Sequence, residues 1–451
     1  MSRARLLRVQ DWPRLTRRGG TLLVVGVLLL GVSLWFDLRD ILLLSFVCIA
    51  MPAAAVVFCA MRTPRLAVQR AFEPPVVPAG GWSTVRLVVQ NRSRRTFDGA
   101  RWRDSAERGL FAPAEAILPA IGRWEGALPS GDDTVRLEYR LRTPRRGVYA
   151  VGPLRIGTSD PFGLARIDRV AGNAHDLVVT PRVTELDVGV GSVASIDGSL
   201  HGLQRRTHPN SDELIAREYR YGDPLRRVNW AATARRGELM VREEEQRGDP
   251  EARLIIDTTL SGRPQQAQPR RDPGDPPDVR FELGIEIAAS VGVHLLERGF
   301  RVRCDPLHAP AVASARLGGG EVYRAPGGEH ALLEDLARLE APGRGRGHRE
   351  QREDPVVPRG RSREARMPGV AVLVDPDLVE AHALVALRPT LEPAIAFTGD
   401  SVRPEVLELL EEADWRVVPV RRPGDIAPAW AIAWRDARGA GARGGGTAHA
   451  R

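Results

Sequence analysis

The sequence predicts three structural parts within 451 residues: a hairpin of two membrane helices, a β-sandwich, and an α/β domain with a doubly wound, mostly parallel sheet. Two uncharged apolar runs near the start predict the hairpin. Short alternating strands separated by Pro and Gly predict the sandwich. Strand and helix patterns that alternate through the second half predict the α/β domain. A chain of this length is long enough for two or three domains.

The hairpin is predicted from the runs Gly19–Phe36 and Ile41–Met61, which contain no charged residue. A bilayer core of ~30 Å needs about 20 apolar helical residues. Four residues separate the runs, so they should fold back on each other. Arginines flank the pair on both outer sides: Arg3, Arg5, Arg8, Arg14, Arg17, Arg18, Arg62, Arg65 and Arg70. By the positive-inside rule, we expect a multi-pass protein of the plasma membrane with both termini and the soluble domains in the cytoplasm.

A secretory signal peptide is the alternative for the first run, because a basic region precedes it. No small-x-small cleavage site follows that run, and a second apolar run comes at once, which favours the hairpin. All 65 basic residues are Arg, so the formal net charge of +8 reflects coding bias as much as an acidic partner. Three cysteines, Cys48, Cys59 and Cys304, do not make a disulfide framework.

Composition divides the chain into expected segments. They are a basic cytoplasmic tail at 1–18, the two-helix hairpin at 19–61, the β-sandwich at 62–190, a segment of distinctive sequence at 191–250, the α/β domain at 251–436 and a disordered tail at 437–451. Two insertions rich in Pro, Gly and charge, 262–278 and 341–368, are expected to be disordered. The second holds eight Arg against four acids. It is either a polyanion-binding loop or a solvated loop; it lacks the aromatics that stack on bases.

In the sandwich region, Val135, Leu137, Tyr139 and Leu141 alternate with Arg and Glu, which predicts a strand with those four side chains inward. Further on, "RRGVYAVGPLRIGTSDPFGL" predicts a turn, a strand from Val148 to Val151, and a second turn at Asp-Pro-Phe-Gly. We interpret this stretch as a structural corner.

The α/β domain is predicted from buried strands that each end in an acid. "ARLIID" ends in Asp257 and "GVAVLVD" ends in Asp375. A helix is predicted from Phe281 to Gly299, where Arg and Gly give a helix stop. Further helices are predicted in "EHALLEDLARLE", "DLVEAHALVAL" and "RPEVLELLEEAD", and further strands in "FRVRC", "GEVYR", "PAIAFTGD" and "WRVVPV".

Residues 217–230, "REYRYGDPLRRVNW", belong to a segment dense in Arg, acids and aromatics. Asn210 predicts the cap of a short helix that runs through Tyr219. Asp223 predicts the cap of a second helix, which Gly237 ends. A strand in "ELMVRE" should follow.

Eight Arg against six acids from residue 217 to residue 247 leave little net charge, so this segment is not predicted to grip phosphates. The planar guanidinium group of Arg can form two parallel hydrogen bonds with a carboxylate. We therefore expect a network that fastens two domains together, with a partner-docking surface as the alternative. The residues concerned are Arg217, Tyr219, Asp223, Arg226, Arg227, Trp230, Arg235, Glu238 and Arg242.

The order of hairpin, "RRGVYAVGPL…DPFGL", "YRYGDPLRRVNW" and a terminal α/β domain resembles the bacterial domain of unknown function 58 family. The resemblance covers nearly the whole chain. It implies that the terminal domain is similar to von Willebrand factor A domains. It also implies partnership with a MoxR-type AAA+ ATPase and an association with transglutaminase-like membrane proteins.

The resemblance further implies a possible Mg²⁺ site of the MIDAS type. Such domains hold the ion with Asp-x-Ser-x-Ser, a separate Thr and a separate Asp. Asp257, Thr259 and Ser261 stand at the matching spacing, and Asp375 supplies the second carboxylate. Oxygen ligands of this kind suit Mg²⁺, and open α/β sheets place sites at the carboxyl ends of their strands.

The pattern is incomplete, because no Thr occurs between residues 262 and 389. Thr398 comes from a later strand, and Ser314 lies outside any clear motif. The alternative is that Asp257 caps a turn and Asp375 starts a helix.

Three functions are consistent with the sequence. The first is a non-catalytic scaffold or adaptor that binds protein partners with the ATPase in envelope-related assembly. The second is a metal-assisted hydrolase that uses Asp257 and Asp375, although no nucleophile elbow, zinc motif or phosphate loop is found. The third is a polyanion binder that uses 341–368. We favour the adaptor and expect no nucleic-acid partner.

Overall fold

The structure is a computed structural model. It describes residues 12–107, 109–111, 113–125, 131–186, 216–218, 228, 230–242, 250–258, 279–307, 322–339 and 367–435. The chain divides into two compact units, Met1–Thr180 and Pro181–Arg451. The two apolar helices and the β-rich part belong to the same unit.

The hairpin consists of helices α1 (Arg17–Phe36) and α2 (Arg39–Met61). Both helices are long and apolar enough to cross a membrane, and only 17% of the most apolar stretch of each is buried. The reversal between them uses Asp37, whose φ of 52° lies in the left-handed region. The Ser33 hydroxyl donates to the Leu38 carbonyl at 2.8 Å and so fastens the turn.

Small residues form the seam between the two helices. Since Gly26 lacks a Cβ, it lies directly against Cys48 and Ile49. Small side chains at such a seam let two membrane helices approach closely. The buried residues of the pair are Gly19, Gly26, Ser33, Ser45, Cys48, Pro52, Ala55 and Cys59.

Two sheets make up the rest of the first unit. Their strands are β1 (Arg14–Leu15), β2 (Leu66–Glu73), β3 (Val76–Pro78), β4 (Trp82–Asn91), β5 (Ala100–Ala106), β6 (Ala116–Ile117), β7 (Thr134–Arg142), β8 (Gly147–Ser159), β9 (Ala165–Ala171) and β10 (His175–Thr180). One sheet has the order β2-β4-β7. The other has seven strands in the order β1-β9-β8-β10-β3, with β5 paired to β8 and β6 paired to β5.

Alternating side chains from both sheets form one hydrophobic cluster. Leu137 and Leu141 of β7 are buried in it, and Val135 and Tyr139 pack against it, which confirms the predicted inward face. The strand predicted at 148–151 is too short, because β8 continues to Ser159 as the partner of both β5 and β9. Pairing on both edges sustains a strand that local sequence alone does not indicate.

A buried ion pair lies at the edge of this core. The Arg70 guanidinium donates to both Asp104 carboxylate oxygens, at 2.7 and 3.2 Å, and the Tyr139 hydroxyl donates to the same carboxylate at 2.6 Å. The side chains of Arg70 and Asp104 are 1% and 0% exposed. Burial and the neighbouring Asp104 carboxylate raise the pKa of Tyr139.

The first strands described in the second unit form a small two-stranded sheet. Strand β11 (Ala216–Glu218) pairs antiparallel with β12 (Met240–Arg242), and helix α3 (Trp230–Arg236) lies between them in sequence. The predicted helix through residue 219 is wrong over 216–218, because strand pairing overrides local helix propensity.

The second predicted helix of this segment is wrong at its start, since Val228 has a β-bridge conformation and α3 begins two residues later. Its predicted end is confirmed. Gly237 has a φ of +77°, and its N–H donates to the Thr233 carbonyl.

A six-stranded sheet forms the core of the second unit. Its strands are β13 (Glu251–Ile256), β14 (Arg301–Pro306), β15 (Val322–Tyr323), β16 (Met367–Leu373), β17 (Leu391–Thr398) and β18 (Arg416–Pro419). Their order across the sheet is β15-β14-β13-β16-β17-β18. Five strands are parallel, and the short edge strand β15 is antiparallel to β14. Counted from β13 as the first strand, this is the doubly wound order 3-2-1-4-5-6.

Helices cover both faces of this sheet, as predicted. They are α4 (Val279–Glu297), α5 (Gly328–Arg338), α6 (Leu378–Leu387), α7 (Pro404–Glu412) and α8 (Ile426–Arg435). Because side chains alternate along a strand, Leu254 and Ile256 pack with α4, α5 and α8, whereas Ile255 packs with α6 and α7. The two resulting hydrophobic clusters lie on opposite faces.

Candidate functional site

The carboxyl ends of β13 and β16 lie side by side in the second unit. The two strands are parallel neighbours, with Ile256 opposite Val372. Strand order reverses at this pair, because β14 leads away from β13 on one side and β17 leads away from β16 on the other. In doubly wound sheets, ligands bind outside the carboxyl ends of the strands at such a switch point.

Asp257 follows β13 at this edge and is fully buried. Its Oδ2 accepts two backbone hydrogen bonds, from Val374 N–H at 3.0 Å and from Asp375 N–H at 2.8 Å. Its own N–H donates to the Val372 carbonyl at 2.9 Å. One carboxylate therefore joins the end of β13 to the loop after β16.

Asp375 is brought to the same place, as the sequence predicted, and is 2% exposed. The alternative in which Asp375 starts a helix is wrong. Helix α6 begins at Leu378, and Asp377 caps it by accepting from Glu380 N–H at 2.9 Å. The Glu380 carboxylate accepts in return from Asp377 N–H at 2.6 Å. This capping box leaves Asp375 in the loop between strand and helix.

A third strand, β17, also ends at this site, which the sequence pattern does not predict. Thr398, opposite Leu373, is 2% exposed and lies at the same edge of the sheet. Two residues after the glycine that follows it, the Ser401 hydroxyl donates to the Val374 carbonyl at 2.5 Å. In the sequence, a hydroxyl residue at the end of a buried strand and a second one three residues later, within "FTGDS", could have indicated this.

The Mg²⁺ ion that the resemblance implies at this edge would need several oxygen ligands. No group of three His, Cys, Asp or Glu side chains among the described residues could hold a metal ion. The best placed carboxylate, Asp257, uses one oxygen to hold two backbone amides. Thr259 and Ser261 lie outside the described residues. The described side chains alone therefore do not form a cation site.

The second candidate site is the segment around α3. Trp230, the first residue of this helix, is 68% exposed. Arg235, Arg236 and Glu238 are exposed as well. Met240 in β12 is 1% exposed, and its N–H donates to the Thr233 hydroxyl at 3.0 Å. The helix is thus fixed to β12 on one side, and its first residue faces solvent.

Only some of the other residues in the expected network lie within the described part of the chain. Arg217 and Arg242 lie in β11 and β12, at positions one residue apart in the pairing register. Tyr219, Asp223, Arg226 and Arg227 lie outside the described residues. A side chain that is 68% exposed, as that of Trp230 is, does not lie at the centre of a buried network.

The architecture defines a class of protein: an apolar helical hairpin and a β-rich unit, followed by a doubly wound α/β unit. The model of the family described as "protein of unknown function DUF58" matches residues 215–299. Over these residues, the chain is similar to the DUF58 family. It begins beside β11 and ends after α4, so it contains both Trp230 and Asp257.

No curated protein matches the chain. Among solved structures, the CARDB domain of PF1109 from Pyrococcus furiosus is 13% identical, with a TM-score of 0.16 and coverage of 24% of this chain and 94% of that one. Spo0M, a sporulation control protein from Bacillus subtilis, is 11% identical, with a TM-score of 0.13 and coverage of 24% and 50%. Scores this low support no inference about fold or function.

Proposed function

We propose that this chain is a membrane-anchored, non-catalytic adaptor that docks a protein partner through the surface around Trp230. The observation that carries the proposal is the 68% exposure of this tryptophan within the family-matched segment. Trp and Arg are enriched among the residues that contribute most of the binding energy at protein interfaces. Arg235 and Arg236, also exposed, lie on the same short helix.

The proposal includes finer statements about fold. We infer that the β-rich part of the first unit is a sandwich, since both of its sheets contribute to one core. We infer that the α/β unit is of the von Willebrand factor A type. The strand order 3-2-1-4-5-6 with a short antiparallel edge strand supports this inference.

The proposed partner is a MoxR-type AAA+ ATPase, with a transglutaminase-like membrane protein as a further member of the assembly. The family resemblance is the basis of this assignment. The hairpin would hold the adaptor in the plasma membrane, with the β-rich part of the first unit and the whole second unit in the cytoplasm, where ATP is available to such an ATPase. Arginines at both outer ends of the hairpin support this orientation.

Site-specific photo-cross-linking tests the docking surface. A photoreactive phenylalanine analogue replaces Trp230 in the full chain, and in a matched protein it replaces Trp82, a 56% exposed tryptophan of the first unit. With the ATPase present, we expect a cross-linked product from position 230 and none from position 82. Equal products from both positions, or none from either, would contradict the proposal.

The metal-assisted hydrolase is the second candidate function, and the polyanion binder is the third. The hydrolase requires Asp257 as a chemical group, whereas the structure shows its carboxylate bonded to two backbone amides. Hydrolytic turnover that needs Mg²⁺ and disappears in Asp257→Asn would favour the hydrolase over the adaptor. The polyanion binder depends on residues 341–368, of which only 367 and 368 are described.

A further inference from the structure

The turn between β8 and β9 is not part of the proposed docking surface, and it carries an exposed aromatic ring. Asp160 holds the turn together, since its carboxylate accepts from Phe162 N–H at 2.9 Å and from Ala165 N–H at 2.6 Å. Gly163, with a φ of +68°, completes the reversal. Asp160 is 4% exposed, whereas the Phe162 ring at the tip of this rigid turn is 67% exposed.

This turn is bound to the start of the first apolar helix. The Thr16 hydroxyl, which caps α1, donates to the Gly163 carbonyl at 2.6 Å, and Thr16 N–H donates to the Leu164 carbonyl at 2.8 Å. Gly19 lies directly against the same Leu164 carbonyl. Phe162 is therefore adjacent in sequence to a residue that contacts the first turn of α1.

The end of the second apolar helix contacts the same place. Leu164, Ala165 and Ile167 form a hydrophobic cluster with Ala55 and Cys59 of α2. Two residues further along β9, the Arg169 guanidinium donates to the carbonyls at the end of α2, Cys59 and Ala60, both at 3.2 Å. Both outer ends of the hairpin thus meet at the level of this turn, which is the level where a membrane surface would lie.

Charge and hydrophobicity at this level match a lipid surface. Arg14, Arg17 and Arg18 are exposed beside the turn, and β1 carries Arg14 along β9. Trp12, four residues before the cap of α1, is 80% exposed. Trp favours the boundary between headgroups and acyl chains, interfacial segments bury Phe at the same boundary, and Arg is attracted to anionic lipids.

We propose that the Asp160–Leu164 turn is a lipid contact, in which the Phe162 ring enters the headgroup boundary of the cytoplasmic leaflet and Arg14, Arg17 and Arg18 bind anionic phospholipid headgroups. The occupant is the bilayer that the hairpin crosses. The inference rests on the membrane placement within the proposed function. It gives the β-rich unit a fixed depth and orientation at the membrane surface.

Fluorescent labelling of the full chain tests this contact. Phe162→Cys, Phe111→Cys and Leu28→Cys each place one exposed thiol, while the native cysteines are buried. Phe111 is the matched control, because its side chain is 77% exposed. It lies four residues after Glu107, whose backbone N–H donates to the Ala150 carbonyl near the start of β8. The turn at the far end of β8 lies up to about 30 Å away along the strand. Leu28 is in the middle of α1.

The labelled proteins are placed in nanodiscs of phosphatidylcholine and phosphatidylglycerol, with and without a lipid that carries a quencher near its headgroup. We expect the quencher to diminish fluorescence at position 162 and to leave position 111 unchanged. We also expect replacement of phosphatidylglycerol by phosphatidylcholine to weaken the effect at position 162.

The control positions separate the possible failures. If the label at position 28 is shielded from a water-soluble quencher while the one at 162 is as accessible as the one at 111, the lipid contact is wrong and the membrane anchor holds. If the label at position 28 is itself accessible from water, the anchor is wrong and the lipid contact fails with it.

Discussion

At the scale of single residues, Asp257 has a structural role that its position in the sequence does not reveal. Its position after a buried strand is what a metal or catalytic site requires, yet its carboxylate holds the backbone of a neighbouring loop. A buried N–H that loses its acceptor costs about 1–3 kcal/mol. The described contacts therefore give Asp257 a part in stability whatever else it does.

The first prediction concerns the loss of this carboxylate. Asp257→Ala should lower the free energy of unfolding by about 2–4 kcal/mol, since two buried amides lose their acceptor. Asp257→Asn should cost less, because its amide oxygen still accepts hydrogen bonds. Thermal unfolding of the full chain in nanodiscs measures both changes.

Asp400 is the matched control for that experiment. It follows β17 at the same edge of the sheet, and its ion pair with Arg421 joins side chains that are 64% and 72% exposed. Exposed pairs contribute about 0–1 kcal/mol, so Asp400→Ala should change stability little. Equal losses in Asp257→Ala and Asp400→Ala would show that the buried hydrogen bonds at Asp257 are not important for stability.

The second prediction is a dependence on pH that comes from Tyr139. Burial and Asp104 raise the pKa of its hydroxyl in the folded state, whereas in the unfolded chain the hydroxyl has the ordinary tyrosine pKa of about 10. Above that pH the unfolded state binds fewer protons than the folded state. The free energy of unfolding therefore decreases as pH rises. Unfolding measured from about pH 8 to about pH 11, which brackets the ordinary tyrosine pKa, should therefore show a steeper decline in the native protein than in Tyr139→Phe. Parallel curves for the two proteins would contradict this role of Tyr139.

The residue scale also shows what sequence can predict about the site. Asp257 and Asp375 were placed correctly, because an acid after a buried strand in an alternating pattern must lie at the carboxyl edge of the sheet. The hydrogen bonds of Asp257 were not predictable, because they depend on which strand becomes the neighbour of β13. Strand order is a tertiary property, and Met367 at the start of β16 lies 110 positions after Asp257.

At the scale of elements, the contact between the hairpin and the β8–β9 turn fastens the apolar helices to the β-rich unit. Gly19 makes this approach possible because the Leu164 carbonyl occupies the space where a Cβ would lie. Gly20, its neighbour in the same helix, has nothing within 4 Å of that position.

The third prediction compares these two glycines. Gly19→Ala should push α1 away from the turn and break the hydrogen bonds of Thr16, which lowers the thermal stability of the first unit. Gly20→Ala should leave stability unchanged or raise it slightly, since Ala favours helix over Gly by roughly 0.5–1 kcal/mol. Thermal unfolding in nanodiscs distinguishes the two variants, and identical behaviour would contradict the close contact.

Elements differed in how well their sequence predicted them. The strands and helices of the α/β unit follow strong periodic patterns, and the alternation at 135–141 predicted the inward face of β7. The segment around Trp230 was interpreted as two helices, but residues 216–218 form a strand because Met240–Arg242 pairs with them. A three-residue strand has no period to detect, so only its partner reveals it.

The small-residue seam of the hairpin was present in the sequence. Gly19, Gly26 and Ser33 recur every seven residues, which places them on one face of a helix. The contact with the turn at Gly163 was beyond sequence reasoning, because it joins residues 147 positions apart.

At the scale of the whole molecule, the proposed topology places the short reversal of the hairpin outside the cell, and the β-rich part of the first unit and the second unit inside. The fourth prediction uses Asp40, exposed at the start of α2, and Asp176, exposed in β10. A membrane-impermeant maleimide should label Asp40→Cys in intact cells and should label Asp176→Cys only after the membrane is opened. Labelling in the reverse pattern would place the units on the outer side, away from a cytoplasmic ATPase.

The affinity of the full chain for the MoxR-type ATPase tests the central claim most directly. Measured with the protein in nanodiscs, Trp230→Ala should weaken binding by about 30-fold or more, because the loss of an interface hot spot costs roughly 2 kcal/mol or more. Trp82→Ala should bind as the native protein does. Native affinity in Trp230→Ala, or equal losses in both variants, would contradict an adaptor that docks its partner through Trp230.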